Sequence, residues 1–291
     1  MDKLARVIRL FSESPKFTIE GKLANFPKRP NSTLYLPKVD YDKLTESYGL
    51  KPNDFREKLA VLSNPEELNS ENPNYKINWV TSIDARAANE RKLGEKEPFF
   101  QLAAIGVTIT KDNQIVLGVR GGEVTPERVQ QYASGLYGLA PGGSVKFKSI
   151  YMENPITDTL HDEFHEEIGN FEVSVLEILG VFEAYRPGPT GIKFVGEIRT
   201  DATLEQIQET NMRANKIRGE YLEKKASTKD IRSIFEYLKL PIDSWEHSPI
   251  IGLPNDKGSM RKFIEVQPQS FSGIGAGALG LYMQYISSFK R

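Results

Sequence analysis

The sequence predicts an α/β/α sandwich built on one mixed sheet and preceded by a small α+β extension. Three observations lead there: β-rich runs come in two hairpin-like pairs, a well-signalled helix lies between the pairs, and further helical stretches follow. The first pair is Ala104–Thr110 and Gln114–Arg120, joined by Lys111-Asp112-Asn113, a short polar connection suited to a hairpin. The second runs from Val173 to Tyr185 and from Gly191 to Ile198. Between them, Arg186-Pro187-Gly188-Pro189-Thr190 cannot continue a central strand. The helix between the pairs is predicted over residues 155–168. Asn154 can cap it, Pro155 suits its first position, and Gly169 suits the residue that follows its last turn. Ser227 and Asp230 form a capping pattern ahead of Ile231, Ile234, Phe235 and Leu238, which predicts an amphipathic helix ending before Pro241. A last helix is expected over about 272–288.

A chain of 291 residues suits one domain with a substantial extension. Residues 1–97 are rich in Pro, Asn and Lys, with short apolar patches such as Leu34-Tyr35-Leu36 and Ile77-Asn78-Trp79-Val80. Arg91-Lys92-Leu93-Gly94-Glu95-Lys96-Glu97-Pro98 reads as a charged linker, so the boundary is set between an extension, 1–97, and a main domain, 98–291.

Charge narrows the partners. With 38 basic and 39 acidic side chains, no global field favours nucleic acid or an anionic membrane, and a small-molecule substrate is expected. The absence of cysteine removes disulfides, thiolate metal sites and cysteine nucleophiles, so any metal must sit on oxygen or imidazole. Charges interrupt the apolar residues of Met1–Arg6, and Gly273–Ile286 is too short and glycine-rich to span a bilayer. A cytoplasmic location is the expectation; oligomeric state leaves no signal.

The residues with most chemical content lie on the 155–168 helix. At 100° per residue, Glu163, Glu166 and Glu167 fall within about 100° of one another, while Leu160, Phe164 and Ile168 form the adjacent apolar stripe. Like charges at this spacing repel by roughly 0.2–0.5 kcal/mol per pair even when exposed. A hard cation removes the conflict, and oxygen ligands point to magnesium or manganese.

Upstream stands Gly138-Leu139-Ala140-Pro141-Gly142-Gly143, and the helix reads Leu160-His161-Asp162-Glu163-Phe164-His165-Glu166-Glu167-Ile168-Gly169. This pattern resembles the signature box of the Nudix hydrolases, with Glu163, Phe164, Glu166, Glu167 and Gly169 in register after a Pro-Gly-Gly turn. The resemblance implies a Nudix-type sandwich and divalent metal, Mg2+ or Mn2+, held by Glu163, Glu166, Glu167 and Gly143. It also implies cleavage of a pyrophosphate bond in a nucleoside diphosphate linked to another group. The extension, the insertion after the glycines and the order of later elements are similar to a nucleotide-sugar-cleaving branch, with uridine diphosphate glucose as an example. ADP-ribose and dinucleoside polyphosphates stay open.

The chain departs from that pattern at three points. Extra residues between Gly143 and the helix leave the family's first glutamate without an in-register equivalent, Glu153 being nearest; Asp162 stands where the family has arginine; and Asn170 replaces an apolar residue. The first two motivate an alternative, a catalytically silent nucleotide-binding sensor.

Glu166, Glu197 and Glu220 are candidate bases in that order, with Glu163 also counted among the catalytic residues, and Arg120 and Arg186 are candidate phosphate clamps because guanidinium matches phosphate oxygens at two points. His161 and His165 are expected about 160° from the carboxylate centre, and His247 is expected as a lone surface histidine. Gly275-Ala276-Gly277-Ala278-Leu279-Gly280 satisfies a dinucleotide-binding glycine pattern, but no acidic residue follows at the required distance, so it reads as a closely packed terminal helix.

Overall fold

Strands whose side chains alternate between two apolar faces need cover on both, and the chain supplies it with helices on each side of a mixed sheet. A computed structural model describes residues 5–23, 58–81, 100–120, 135–146, 153–184, 191–224, 226–266 and 271–289. Strands β1 (Ala5–Leu10), β2 (Lys16–Leu23), β3 (Lys58–Leu62) and β4 (Asn74–Thr81) come first. Then follow β5 (Leu102–Ile109), β6 (Gln114–Arg120), β7 (Tyr137–Leu139), β8 (Gly142–Ser144), helix α1 (Pro155–Glu167), β9 (Val173–Ala184) and β10 (Ile192–Thr200). Helices α2 (Leu204–Glu223) and α3 (Thr228–Leu238), a 3₁₀ turn (Ser244–Glu246), β11 (His247–Pro254), α4 (Lys257–Val266) and α5 (Gly273–Ser288) complete the described chain.

The large sheet runs β1-β9-β10-β5-β6-β11, with β7 added to β6 and β8 to β5. Both expected hairpins are present, and β10 lies parallel to β5, which makes the sheet mixed. β5 and β6 pair only at Ile109↔Ile115 and then diverge; β7 and β8 pair with the edges so released, placing Gly143 opposite Ala104 and Gly142 opposite Ile105. Residues of one parity, including Ala104, Phe194 and Ile198, share a core with Leu160 and Phe164 of α1. The other parity, including Ile105, Val107 and Val195, meets Ala278, Leu279 and Tyr282 of α5.

The N-terminal elements are joined to this body. β1 pairs antiparallel with β9 at the sheet edge, while β2, β4 and β3 form a second sheet. Tyr75 of β4, Phe17 of β2 and Phe11 pack edge-on or stacked against Phe194 of β10, so the two sheets share one core. β3 also bridges to the main domain, through Leu59↔Lys146 and Val61↔Gln101. The charged linker expected at 91–98 lies outside the described residues.

Helix α1 starts where its cap residue predicts: Asn154 Oδ1 accepts from the backbone N–H groups of Ile156 and Thr157, each at 3.2 Å, and Pro155 follows. Past its end Gly169 has φ +146, a conformation few side chains tolerate. α3 has the expected capping box of Ser227 and Asp230, and α5 begins after Ser272. The twenty-residue α2 has no counterpart in the sequence reading; it buries only Ile207, Asn211 and Ala214, too few apolar positions to give a clear helical period. Replacing Asn154 by Ala should destabilise the protein by about 1 kcal/mol. The urea midpoint measures this, and an unchanged midpoint would show that Pro155 and the packing of α1 set the helix start without the cap.

Candidate active site

The acidic flank of α1 faces the β8 glycines because the apolar flank is taken by the sheet: Leu160 and Phe164 are fully buried against β10 and β5. The next residues round the helix, Glu163 and Glu167, are carried into the boundary and are themselves buried, at 9% and 2% exposure, while Glu166 is half-buried. A side chain on β8 would leave no room for them. A Cβ placed on Gly143 would come within 2.4 Å of the Glu163 carboxyl group, so glycine there lets the carboxylate lie against backbone. Next to it, the Gly142 N–H donates to Glu167 Oε2 at 3.0 Å.

Opposite the helix, the turn between α3 and β11 brings in groups that the sequence reading missed. The Asp243 N–H donates to the Glu166 carbonyl oxygen at 2.7 Å, which holds this turn to the last turn of α1. Asn211 of α2 anchors it from behind through Nδ2 to the Ser244 and His247 carbonyls, at 2.8 and 3.1 Å. His247, expected on the surface, is 2% exposed, with Nε2 3.2 Å from Glu167 Oε2. It is buried because β11 pairs with β6 and seats it over Gly118, where a Cβ would lie 2.4 Å from the His247 Cβ. Asp243, Glu246 and His247 fall within five residues, a clustering of ligand-type side chains that was the available signal.

Five carboxyl groups therefore crowd together. Burial, and after it the charge of Glu167, pushes the Glu163 carboxyl up to about 7. Burial also raises Asp243, with Glu166 and Glu167 adding to it, and raises Glu246, with Glu167 adding. Opposing cations include Lys146, whose Nζ lies 3.5 Å from Glu163 and 3.8 Å from Glu166, Arg120, 3.7 Å from Glu246, and Arg218, whose charge opposes the rise of Asp243. Among the described residues, no three His, Asp or Glu side chains are grouped closely enough to hold a metal ion as they stand. The donors are nevertheless suited to one: oxygen-rich, negatively charged in excess, partly desolvated, and beside a backbone that only glycine leaves open.

A cleft of about 210 Å³ opens beside this cluster, lined among others by Arg120, Gly142, Gly143, Ser144, Lys193 and His247. The structure thus brings Glu163, Glu166, Glu167, Gly143 and Arg120 to one place. Arg186 lies outside the described residues. Glu197 is elsewhere: residue parity on β10 turns it to the α5 face, fully buried, where Arg199 donates to it at 3.0 Å. Its cross-strand neighbour Glu177 there accepts from the Tyr285 hydroxyl. Glu153 and Glu220 are exposed, as is His161, and His165 Nδ1 lies 3.1 Å from the Gly169 carbonyl on the outer side of α1.

No protein-family model matches the chain, and no curated protein matches it in sequence. Among solved structures, it is similar to the MutT protein from Methanosarcina mazei Go1, at 11% identity over 67% of this chain and 99% of that one, with a TM-score of 0.39. It is also similar to Tm1382, a candidate Nudix hydrolase, at 16% identity over 50% and 78%, with a TM-score of 0.28. The E. coli ORF135 protein aligns at 18% identity over 36% and 69%, with a TM-score of 0.23. These are partial superpositions, and the functional reading rests on the geometry of the α1 carboxylates.

That geometry makes stability depend on pH in a defined direction. The folded-state value for Glu163, about 7, is raised above the ordinary 4.5, so its contribution is fully present below pH 4.5 and is lost as pH rises towards 7. The loss is about 3 kcal/mol at 1.36 kcal/mol per unit. Asp243 and Glu246 act in the same sense. Metal-free protein should be more stable near pH 5 than near pH 8, and Glu163→Gln should remove Glu163's share of the slope. Parallel pH profiles of unfolding free energy for the two proteins would show that Glu163 ionises freely.

Proposed function

We propose that the chain is a metal-dependent hydrolase of the Nudix type that cleaves a pyrophosphate bond in a nucleoside diphosphate linked to another moiety. One observation carries the reading: Glu163 and Glu167 lie against the Gly142-Gly143 backbone, Lys146 links Glu163 to Glu166, and the same glycines line a cleft together with Arg120 and Lys193. Anionic oxygens next to cationic side chains suit a substrate that arrives as phosphate and metal together.

On this reading Glu163, Glu166, Glu167 and Gly143 hold Mg2+ or Mn2+, which when bound polarises phosphate oxygens and lowers the pKa of water. Glu166, the most accessible of the three glutamates, takes the proton of the attacking water. Arg120 and Lys193 grip phosphate oxygens from the cleft wall. Residues 98–291 form the catalytic unit. Residues 1–97 are an extension that supports it, since β3 pairs beside Lys146. Nucleotide sugars such as uridine diphosphate glucose are the substrates to screen first, followed by ADP-ribose and dinucleoside polyphosphates.

A second reading, a silent nucleotide-binding sensor, also has an observation behind it. Lys146 sits between Glu163 and Glu166 and partly balances their charge without any metal. Turnover separates the two: the hydrolase releases phosphate-containing products only with magnesium or manganese, whereas the sensor binds nucleotide and releases none.

On an identified substrate, Glu166→Gln should lower kcat at least about a hundredfold, within the roughly 10²–10⁴ range of general acid–base contributions. The exposed Glu172, outside the cluster, provides a control of the same chemistry as Glu172→Gln. Near-normal turnover by Glu166→Gln would remove the catalytic centre from α1.

A further inference from the structure

His247 presents a contradiction that the fold does not resolve by itself. The side chain is buried, yet among the described residues neither ring nitrogen has an aligned hydrogen bond, although Nε2 lies only 3.2 Å from Glu167 Oε2. A buried nitrogen left without a partner is destabilising, and Nε2, close to a carboxylate oxygen without being aligned to it, points to a bound group that the described residues do not supply. The backbone of His247 is fixed, and the fold leaves room for the ring. Gly118 provides the space behind it, β11 pairs its backbone with Arg120, and Asn211 donates to its carbonyl at 3.1 Å. His247 also lines the cleft beside Gly142 and Gly143.

The separation itself carries information. Two ligands of one ion, bonded at about 2.1 Å and at right angles, stand roughly 3 Å apart. A donor pair at 3.2 Å that is not aligned as a hydrogen bond matches that spacing. We propose that His247 Nε2 is a nitrogen ligand to a divalent cation that it shares with Glu167. The inference rests on the metal-dependent reading of the same site and extends it. A mixed imidazole and carboxylate ligand set favours manganese, cobalt or zinc over magnesium, because imidazole suits transition metals while magnesium prefers oxygen. The remaining coordination positions fall to water, to substrate phosphate oxygens and to the other glutamates.

The test uses the untagged full-length chain with Mn2+ and electron spin echo spectroscopy, which detects a ¹⁴N nucleus bonded to the ion. The chain has three histidines, so the double variant His161→Gln, His165→Gln leaves His247 as the sole imidazole without disturbing the site. Its Mn2+ complex should show ¹⁴N modulation that disappears when histidine is supplied as ¹⁵N. His247→Gln should lose the signal, bind Mn2+ at least about tenfold more weakly, and narrow the preference for Mn2+ over Mg2+. If Mn2+ binds, and Glu166→Gln weakens it, but the double variant shows no ¹⁴N modulation, His247 is not a ligand and the hydrolase reading stands. If wild-type protein binds no Mn2+, both fall.

Discussion

The tight approach of α1 to the β8 backbone is the constraint on which the site depends. Fully buried Leu160 and Phe164 leave the helix no freedom to rotate, so the neighbouring glutamates must go where the apolar face sends them. They meet Gly142 and Gly143, where there is no side chain to exclude them and one N–H to receive a carboxylate. Hydrophobic packing on one flank thus sustains electrostatic strain on the other. The rise of Glu163 to about 7 is the mark of that strain.

Elements distant in sequence relieve it. Lys146 is presented by a stretch whose neighbour Val145 accepts from the Ala60 N–H at 2.7 Å, so an N-terminal strand helps to place a cation at the carboxylates. From the other side, Asn211 on α2 fixes the turn that carries Asp243, Glu246 and His247. Arg218 of α2 stacks over Trp245 in the same turn, with its guanidinium 4.9 Å from the ring. Both supports come from segments without any motif of their own.

The sheet keeps two buried polar groups of residues apart. On the α1 face the carboxylates lie against Gly142 and Gly143, and these glycines line a cleft that reaches Gly275 at the start of α5. On the α5 face Glu197 is matched by Arg199, Glu177 accepts from Tyr285, and the Tyr282 hydroxyl donates to Asn255 at 3.0 Å. The partnered network on the α5 face reads as structural. The cluster on the α1 face, with excess charge and a histidine that has no aligned hydrogen bond among the described residues, reads as a place for a ligand.

Local chemistry made much of this legible. Asn154, Pro155 and Gly169 delimit α1 because capping and positive φ are decided within a few residues, and helical spacing alone puts Glu163, Glu166 and Glu167 on one flank. The Pro-Gly-Gly turn could be read as special for a similar reason, since few residues other than glycine allow so close an approach. Spacing did not reveal the turn of β10 that sends Glu197 to the far face, because parity has meaning only once the neighbouring layers are known. Nor did it reveal the burial of His247, the placing of Lys146 by β3, or the joining of β1 to the large sheet. Each of those is a contact between segments tens to well over a hundred residues apart. The sequence by itself determined the charged face of one helix. The tertiary structure decided which other groups face it, because pairing and burial between distant segments depend on the whole chain.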